Sequence, residues 1–264
     1  MHMHKFKKSL GQNFIRDEGF LASLISELGL GRDDVVVEVG AGEGSLTKVL
    51  ARQVERVVTY EVDKSLEEAL DRNLAGFENV EVRFEDGLRA SLEFRDYKVV
   101  ANVPYYITTP LIFKFLADTR CREINVLVQR EVADRIVAKP NVADYGALSV
   151  AVQSCAGVRK VRNVTRTMFY PVPKVDSAFI QIVKKDSMSD IPPLMVDEAL
   201  LKGLFSQRRK TIENGLMRVF SKTREEVREL LISVNISPTL RPDAINVEEY
   251  QRLNMAINSS WKKQ

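Results

Sequence analysis

Histidine is nearly missing from this chain. Two occur in 264 residues, His2 and His4, both at the extreme N-terminus, so no imidazole is expected as a general base. Cysteine is equally scarce. Cys121 and Cys155 form neither a CxxC pair nor a framework, which excludes a disulfide scaffold and leaves two reduced packing thiols. No apolar run approaches the roughly 18 residues of a membrane span. The short basic N-terminus lacks the apolar stretch of a secretory signal and the length of a transit peptide. The expectation is a cytoplasmic protein with no membrane association. With 13 Gly and 9 Pro, collagen-like and low-complexity chains are excluded. What remains, 45% hydrophobic and 28% charged, suits a folded chain long enough to bury its own core.

Positive charge is in small excess and unevenly placed. Residues 184–264 hold 14 Lys and Arg against 11 Asp and Glu, whereas residues 1–183 hold 25 of each. The densest cluster is Arg208-Arg209-Lys210, and Lys5, Lys7 and Lys8 add a basic N-terminus. Such patches suit a polyanionic partner, though charge runs are often only solvated faces.

β-Branched runs alternate with helical patterns up to Lys185. Strands are expected at Val35–Val39, Arg56–Val62, Val80–Phe84, Lys98–Ala101, Ile124–Val128, Leu148–Val152 and Ser177–Val183. Helices are expected at Ser45–Gln53, Leu66–Leu74 and Pro110–Leu116. Strands recurring every 20–25 residues with helices between them imply βαβ units and a mostly parallel sheet. Asp186–Pro193 is polar, with Ser187, Ser189, Pro192 and Pro193, and reads as a linker. Beyond it only helical periodicity recurs, as in Leu200, Leu201, Leu204 and Phe205. Two domains follow, 1–185 and 186–264.

Three strand ends carry chemistry. Gly40-Ala41-Gly42-Glu43-Gly44 follows the first strand, and glycines there allow a tight turn and close backbone approach to a ligand. The GxGxG spacing differs from the GxGxxG of dinucleotide binders, and no Walker-type lysine accompanies it. Glu61 ends the second strand, 21 residues after Gly40, where a carboxylate can accept both ribose hydroxyls of a nucleoside. Asp86, past the third strand, can accept from an adenine amino group. Asn102-Val103-Pro104-Tyr105 ends the fourth strand. Pro104 stiffens the exit so that the Asn102 side-chain oxygen and the Val103 carbonyl can converge on one NH2 group. An adenine amine is a poor nucleophile because its lone pair is delocalised. Accepting both of its N–H bonds returns density to nitrogen during attack. Tyr105 is placed to stack on the base.

Together, Gly40-Ala41-Gly42, Glu61, Asp86 and Asn102-Val103-Pro104-Tyr105 resemble the adenine-N6 methyltransferases that use S-adenosylmethionine. More narrowly, the chain resembles the KsgA-type rRNA adenine dimethyltransferases, from about Lys7 to about Leu253. Lys8–Phe14, Thr109-Pro110, Tyr145–Val150, Phe169–Ala178, Phe205–Thr211 and the Arg241-Pro242 segment with Tyr250 and Leu253 are similar to the family's further motifs. The pattern departs from the commoner one at Val103, where Leu is usual, and at Ala41, where Pro is common. Both positions act through backbone.

The resemblance implies a Rossmann-like α/β methyltransferase domain followed by a small helical domain that binds rRNA. It implies S-adenosylmethionine as donor, S-adenosylhomocysteine as product and no active-site metal. Gln12, Asn13, Ile15, Gly40, Gly42, Glu61, Asp86 and Asn102 would hold the donor. Asn102, Val103, Pro104 and Tyr105 would form the catalytic turn, with Phe169 a candidate for the second face of the adenine. Arg208, Arg209 and Lys210 would contact RNA phosphates. The partner implied is a precursor of the small ribosomal subunit, met by a monomer. Two alternatives stay open: an Erm-type methyltransferase of large-subunit rRNA, and a non-catalytic ribosome-assembly factor.

Overall fold

The computed structural model describes residues 13–185 and 196–261. Gln12, the N-terminal lysines, both histidines and the expected linker at Asp186–Pro193 lie outside the described residues. Among those described, the chain forms two compact units, residues 13–133 with 159–185, and residues 134–158 with 196–261.

The first unit is built on a sheet. Helix α1 (Glu18–Ser26) precedes β1 (Val35–Val39), α2 (Ser45–Ala51), β2 (Arg56–Tyr60), α3 (Glu67–Leu74), β3 (Val80–Arg83), β4 (Tyr97–Ala101), α4 (Tyr105–Ala117), β5 (Cys121–Gln129) and α5 (Arg130–Val137). After α6 (Ala147–Cys155) come β6 (Ala156–Val164) and β7 (Ser177–Lys184). The seven strands lie in the order β3-β2-β1-β4-β5-β7-β6. The pairs β1–β2, β1–β4, β2–β3 and β4–β5 are parallel, and β5–β7 is antiparallel. This is the expected mostly parallel α/β sheet. Its strands are near-continuous Val runs because both faces are covered. Val36, Val49, Leu50, Val57 and Val100 share one core cluster with Leu21, Leu24 and Ile25 of α1. Leu66, Leu70 and Leu74 form a second with Ala41.

From β1 the chain winds outward through β2 to β3, then returns to β4 on the opposite side of β1. The direction of winding therefore reverses between β1 and β4. In an open parallel sheet that reversal leaves a crevice at the carboxyl ends of the strands.

The second unit is helical: α6, α7 (Glu198–Phe205), α8 (Ile212–Phe220), α9 (Arg224–Ser233) and α10 (Val247–Ser260). Its helices start where the sequence supplies caps. The Thr223 hydroxyl accepts from Glu226 N–H while the Glu226 carboxylate accepts from Thr223 N–H, and Asn246 and Glu249 repeat the device.

Three expectations are corrected. Leu148–Val152 is helical, within α6. A short buried apolar run fits strand or helix equally by periodicity, and here Ser149 decides: its hydroxyl accepts from Gly146 N–H and donates to the Arg135 carbonyl. Next, α4 begins at Tyr105 rather than Pro110, because a helix continues past Pro near its start at the loss of one hydrogen bond. Last, the division is not at 185/186 alone. Residues 134–158 belong with the C-terminal helices: Tyr145 Oη donates to the Ile245 carbonyl at 2.8 Å, and Gln251 Nε2 to the Ser154 carbonyl. The strand β6 has no counterpart among the expected elements; its burial alternates weakly.

Candidate active site

The crevice between β1 and β4 is a real cleft. It encloses about 640 Å³, its open mouth included, and is lined by Asn13, Phe14, Gly40, Gly42, Glu61, Asp86, Asn102, Val103 and Pro104 among others. Eight expected site residues are thus brought together from five segments of the chain.

The floor is the glycine turn. Gly40 N–H donates to the Tyr60 carbonyl at 2.8 Å, tying the turn to the end of β2. Gly42 has φ +57°, and a Cβ there would stand 2.5 Å from Phe14 Cε1. Only glycine fits both the left-handed backbone and the ring above it.

Glu61 is the turn's second anchor. It is 6% exposed. Its Oε2 accepts from Gly42 N–H at 2.9 Å and its Oε1 from Asp63 N–H at 2.8 Å. Burial raises its carboxyl above the usual range, and the backbone donors oppose that shift. Each oxygen keeps a lone pair, so the same group can still accept hydroxyls from a ligand in the cleft. Asp86 lies across from it, with Oδ1 accepting from Leu88 N–H at 2.9 Å.

Asn102 stands at the end of β4. Its Nδ2 donates to the Asn13 carbonyl at 3.3 Å. That bond uses one of the two N–H donors of the amide, and the acceptor Oδ1 is left for a ligand. The Pro104 carbonyl accepts from Ile107 N–H, so it is committed to the helix and unavailable to a ligand through that lone pair.

Four expected residues sit elsewhere. The Tyr105 hydroxyl shares a 2.8 Å hydrogen bond with Ser177 Oγ, burial pushes its phenol pKa up, and it does not line the cleft; its neighbour Tyr106 does, 65% exposed. Phe169 is 3% exposed and packed in the core cluster with Ile15, so neither ring face is available to an adenine in this conformation. The cause is an antiparallel bridge between Phe14 and Tyr170. In extended backbone successive side chains alternate sides; Tyr170 faces out and Phe169 turns in. The same alternation sends Phe14 to the cleft and Ile15 to the core. Arg208 is the fourth. Its guanidinium bonds Asp243 Oδ2 and the carbonyls of Val142 and Ala143, all within the helical unit. It is an internal staple, while Arg209 and Lys210 are exposed. Arg208→Ala is expected to lower stability by about 1.5–3 kcal/mol, the worth of bonds to a charged donor, measured as a lowered denaturation midpoint.

Phe14 and Tyr106 line the cleft although neither ring is legible in the sequence as part of it. Their only signal is adjacency, to Asn13 and to Tyr105, and adjacency does not say which ring faces inward.

Beneath the turn lies Glu38, fully buried, with Thr47 Oγ1 donating to its Oε2 at 2.6 Å. Glu38 Oε1 and Thr59 Oγ1 are buried without partners, and the β1–β2 register sets these two residues opposite each other. Burial pushes the Glu38 carboxyl up to about 8. A proton on Oε1 then supplies a donor that Thr59 can accept. The native state thus holds a proton that the unfolded chain releases near 4.5, and stability falls as pH rises from about 4.5 to 8, at most about 1.4 kcal/mol per unit. Glu38→Gln should flatten that stretch of the melting temperature against pH; an unchanged slope would refute the assignment.

A glycine floor, a doubly bonded carboxylate and an amide acceptor at the switch point of this sheet suit a nucleoside-bearing donor, and the protein is an S-adenosylmethionine-dependent methyltransferase. Comparison with known proteins narrows the class. Residues 3–255 match the family described as Ribosomal RNA adenine dimethylase. The Ribosomal RNA small subunit methyltransferase A of Bacillus thuringiensis (strain Al Hakam) is 38% identical over 266 residues, covering 96% of this chain and 91% of that protein. Its namesake from Geobacillus thermodenitrificans is 37% identical over 270 residues, with the same coverage. Among solved structures, a dimethyladenosine transferase from Plasmodium falciparum shares the fold with a TM-score of 0.80 at 24% identity, covering 93% of this chain and 98% of that one. The 23S rRNA methyltransferase ErmE has a TM-score of 0.71 at 27% identity, covering 93% and 99%. The chain belongs to the ribosomal RNA adenine dimethylase family.

Proposed function

We propose that the protein transfers methyl groups to the N6 amines of two adjacent adenines in the 3′-terminal hairpin loop of small-subunit rRNA. It acts in the cytoplasm, as a monomer, on a late precursor of the small subunit. The observation that carries this reading is the position of Asn102 on the same cleft as the glycine turn, Glu61 and Asp86. The names of the relatives at 37–38% identity support the choice of subunit.

When bound, S-adenosylmethionine supplies a methyl group on a positive sulfonium, which departs neutral. Glu61 accepts from ribose hydroxyls and Asp86 from the adenine amine of that nucleoside. Asn102 Oδ1 and the Val103 carbonyl accept the two N–H bonds of the target amine and hold its lone pair in line. Tyr106, exposed at the mouth, takes the stacking role where a flipped base enters, and Tyr105 steadies the turn through Ser177. The spare proton leaves to solvent after attack. The helical unit carries Arg209 and Lys210 to RNA phosphates; Arg209→Gln with Lys210→Gln should lower the salt slope of RNA binding by about 0.7–0.9 per contact.

The test is to incubate the protein with labelled S-adenosylmethionine and small subunits lacking dimethyladenine, then map the label. Label at adjacent adenines of the terminal hairpin supports the reading. Label on large-subunit rRNA alone would instead favour the Erm-type reading, which the similarity to ErmE raises.

A further inference from the structure

A second cleft opens on the same rim of the sheet. It encloses about 780 Å³, its open mouth included, and is lined by Arg130, Glu131, Arg166, Lys174, Val175 and Asp176, with Gln129. The register explains its position. Because β7 runs antiparallel to β5, the first residue of β7 faces the last of β5, and Gln129 stands opposite Ser177. Arg130 follows β5, and Lys174–Asp176 lead into β7. Arg166 is brought in by two bonds: its N–H donates to Asp176 Oδ1 at 3.0 Å, and its Nη1 to the Lys174 carbonyl at 3.4 Å. Ser177 also shares the hydrogen bond with Tyr105. One residue pair, Tyr105 and Ser177, therefore links this cleft to the turn that follows Asn102.

Ion-paired arginines are common in this unit. Arg16, Arg52, Arg56, Arg83, Arg120 and Arg122 each pair with a carboxylate. At this rim, Arg130, Arg166 and Lys174 are exposed, and none makes an ion pair with a carboxylate among the described residues. Of the two acids present, Asp176 is committed through Oδ1 to the Arg166 N–H. Three cations from three segments, held open around one cavity, make an anion site. The apolar Val175, 44% exposed on its wall, suits the sugar or base attached to that anion.

We infer that this cleft binds a phosphodiester of the single-stranded RNA next to the adenine presented to Asn102. An RNA strand that delivers one base to the first cleft must carry its flanking phosphates along the same rim. A cationic groove that tracks the backbone beside a base-accepting site is the usual arrangement for single-stranded nucleic acid. The contacts fix position and carry no sequence information. The inference rests on the reading above that RNA is the substrate.

The test measures two things separately. Methyl transfer by the unaltered protein onto small subunits judges the substrate. Binding of a terminal-hairpin RNA oligonucleotide across a salt series judges the cleft. The Arg130→Gln, Lys174→Gln double variant should bind S-adenosylmethionine as the unaltered protein does. Its plot of log affinity for RNA against log salt should be shallower by about 0.7–0.9, the change for one phosphate contact. The two proteins should then converge at high salt. Lys174→Glu, a change confined to an exposed loop, gives the same decision if the double variant fails to fold, with a weaker affinity expected at low salt. An unaltered slope with donor binding intact overturns the cleft as a phosphate site and leaves the substrate reading standing. No label on rRNA from the unaltered protein overturns the substrate reading instead.

Discussion

Asn102→Ala should lower the rate of methyl transfer by about 10²–10³, the usual cost of removing one preorganised group that acts on charge developing in the transition state. The reason is geometric. The Asn102 amide holds its orientation by donating one N–H to the Asn13 carbonyl, and alanine removes the acceptor oxygen proposed to meet the target amine. In the ground state a neutral acceptor contributes about 0.5–1.5 kcal/mol. Binding of S-adenosylmethionine should therefore weaken by about tenfold or less. As positive charge grows on the attacking nitrogen, the same acceptor gains strength, and the difference appears in turnover. Single-turnover transfer of labelled methyl, set beside calorimetric titration with the donor, separates the two effects. Equal losses in both would show that Asn102 only binds. Undiminished turnover would remove it from the mechanism.

Glu61→Ala should act the other way round, on the donor first. It strips the acceptor from two buried backbone donors, Gly42 N–H and Asp63 N–H. Leaving a buried donor unsatisfied costs about 1–3 kcal/mol, so the glycine turn loses its lock even before a ligand arrives. The ribose contacts proposed for Glu61 would be lost as well. Donor affinity should fall at least about 100-fold, which corresponds to about 2.8 kcal/mol. The melting temperature of the ligand-free protein should fall with it. Glu61→Gln is the informative companion. It keeps one carbonyl oxygen but sets an NH2 group against a backbone N–H, so its loss should be intermediate. If Glu61→Ala weakened the donor without lowering the melting temperature, the carboxylate would be a ligand contact and not an anchor of the turn.

The two variants test different links between sequence and chemistry, and both residues are legible from their neighbours in the chain. So are Gly40, Gly42 and Asp86. Each follows a strand whose β-branched run is unmistakable, and in a parallel sheet the residues after the strands share one rim. Local signals suffice there because strand, turn and site are contiguous in the chain. The cap residues Thr223 and Asn246 are equally local, and they start the helices they flank.

Where local pattern misleads, the missing information is long-range. The Leu148–Val152 run is apolar enough for either conformation, and its helix is fixed by Ser149 reaching the Arg135 carbonyl. Segment 134–158 joins the C-terminal helices through groups as distant in sequence as Ile245. Phe169 has the chemistry of a stacking ring, but its direction is set by the bridge between Phe14 and Tyr170, which turns it into the core. Arg208 sits in a run of three cations that looks alike from end to end. Only Asp243 and the carbonyls of residues 142 and 143 distinguish it from Arg209 and Lys210.

The parallel sheet, the glycine turn and the carboxylates and amide on its rim follow from periodicity and spacing, which act over a few residues. Which rings face the cleft, which arginine is used inside the fold, and the meeting of three cations beside Ser177 follow from packing between distant segments. A side chain's chemistry is written in its identity, but its partner is chosen by packing between segments far apart in the chain.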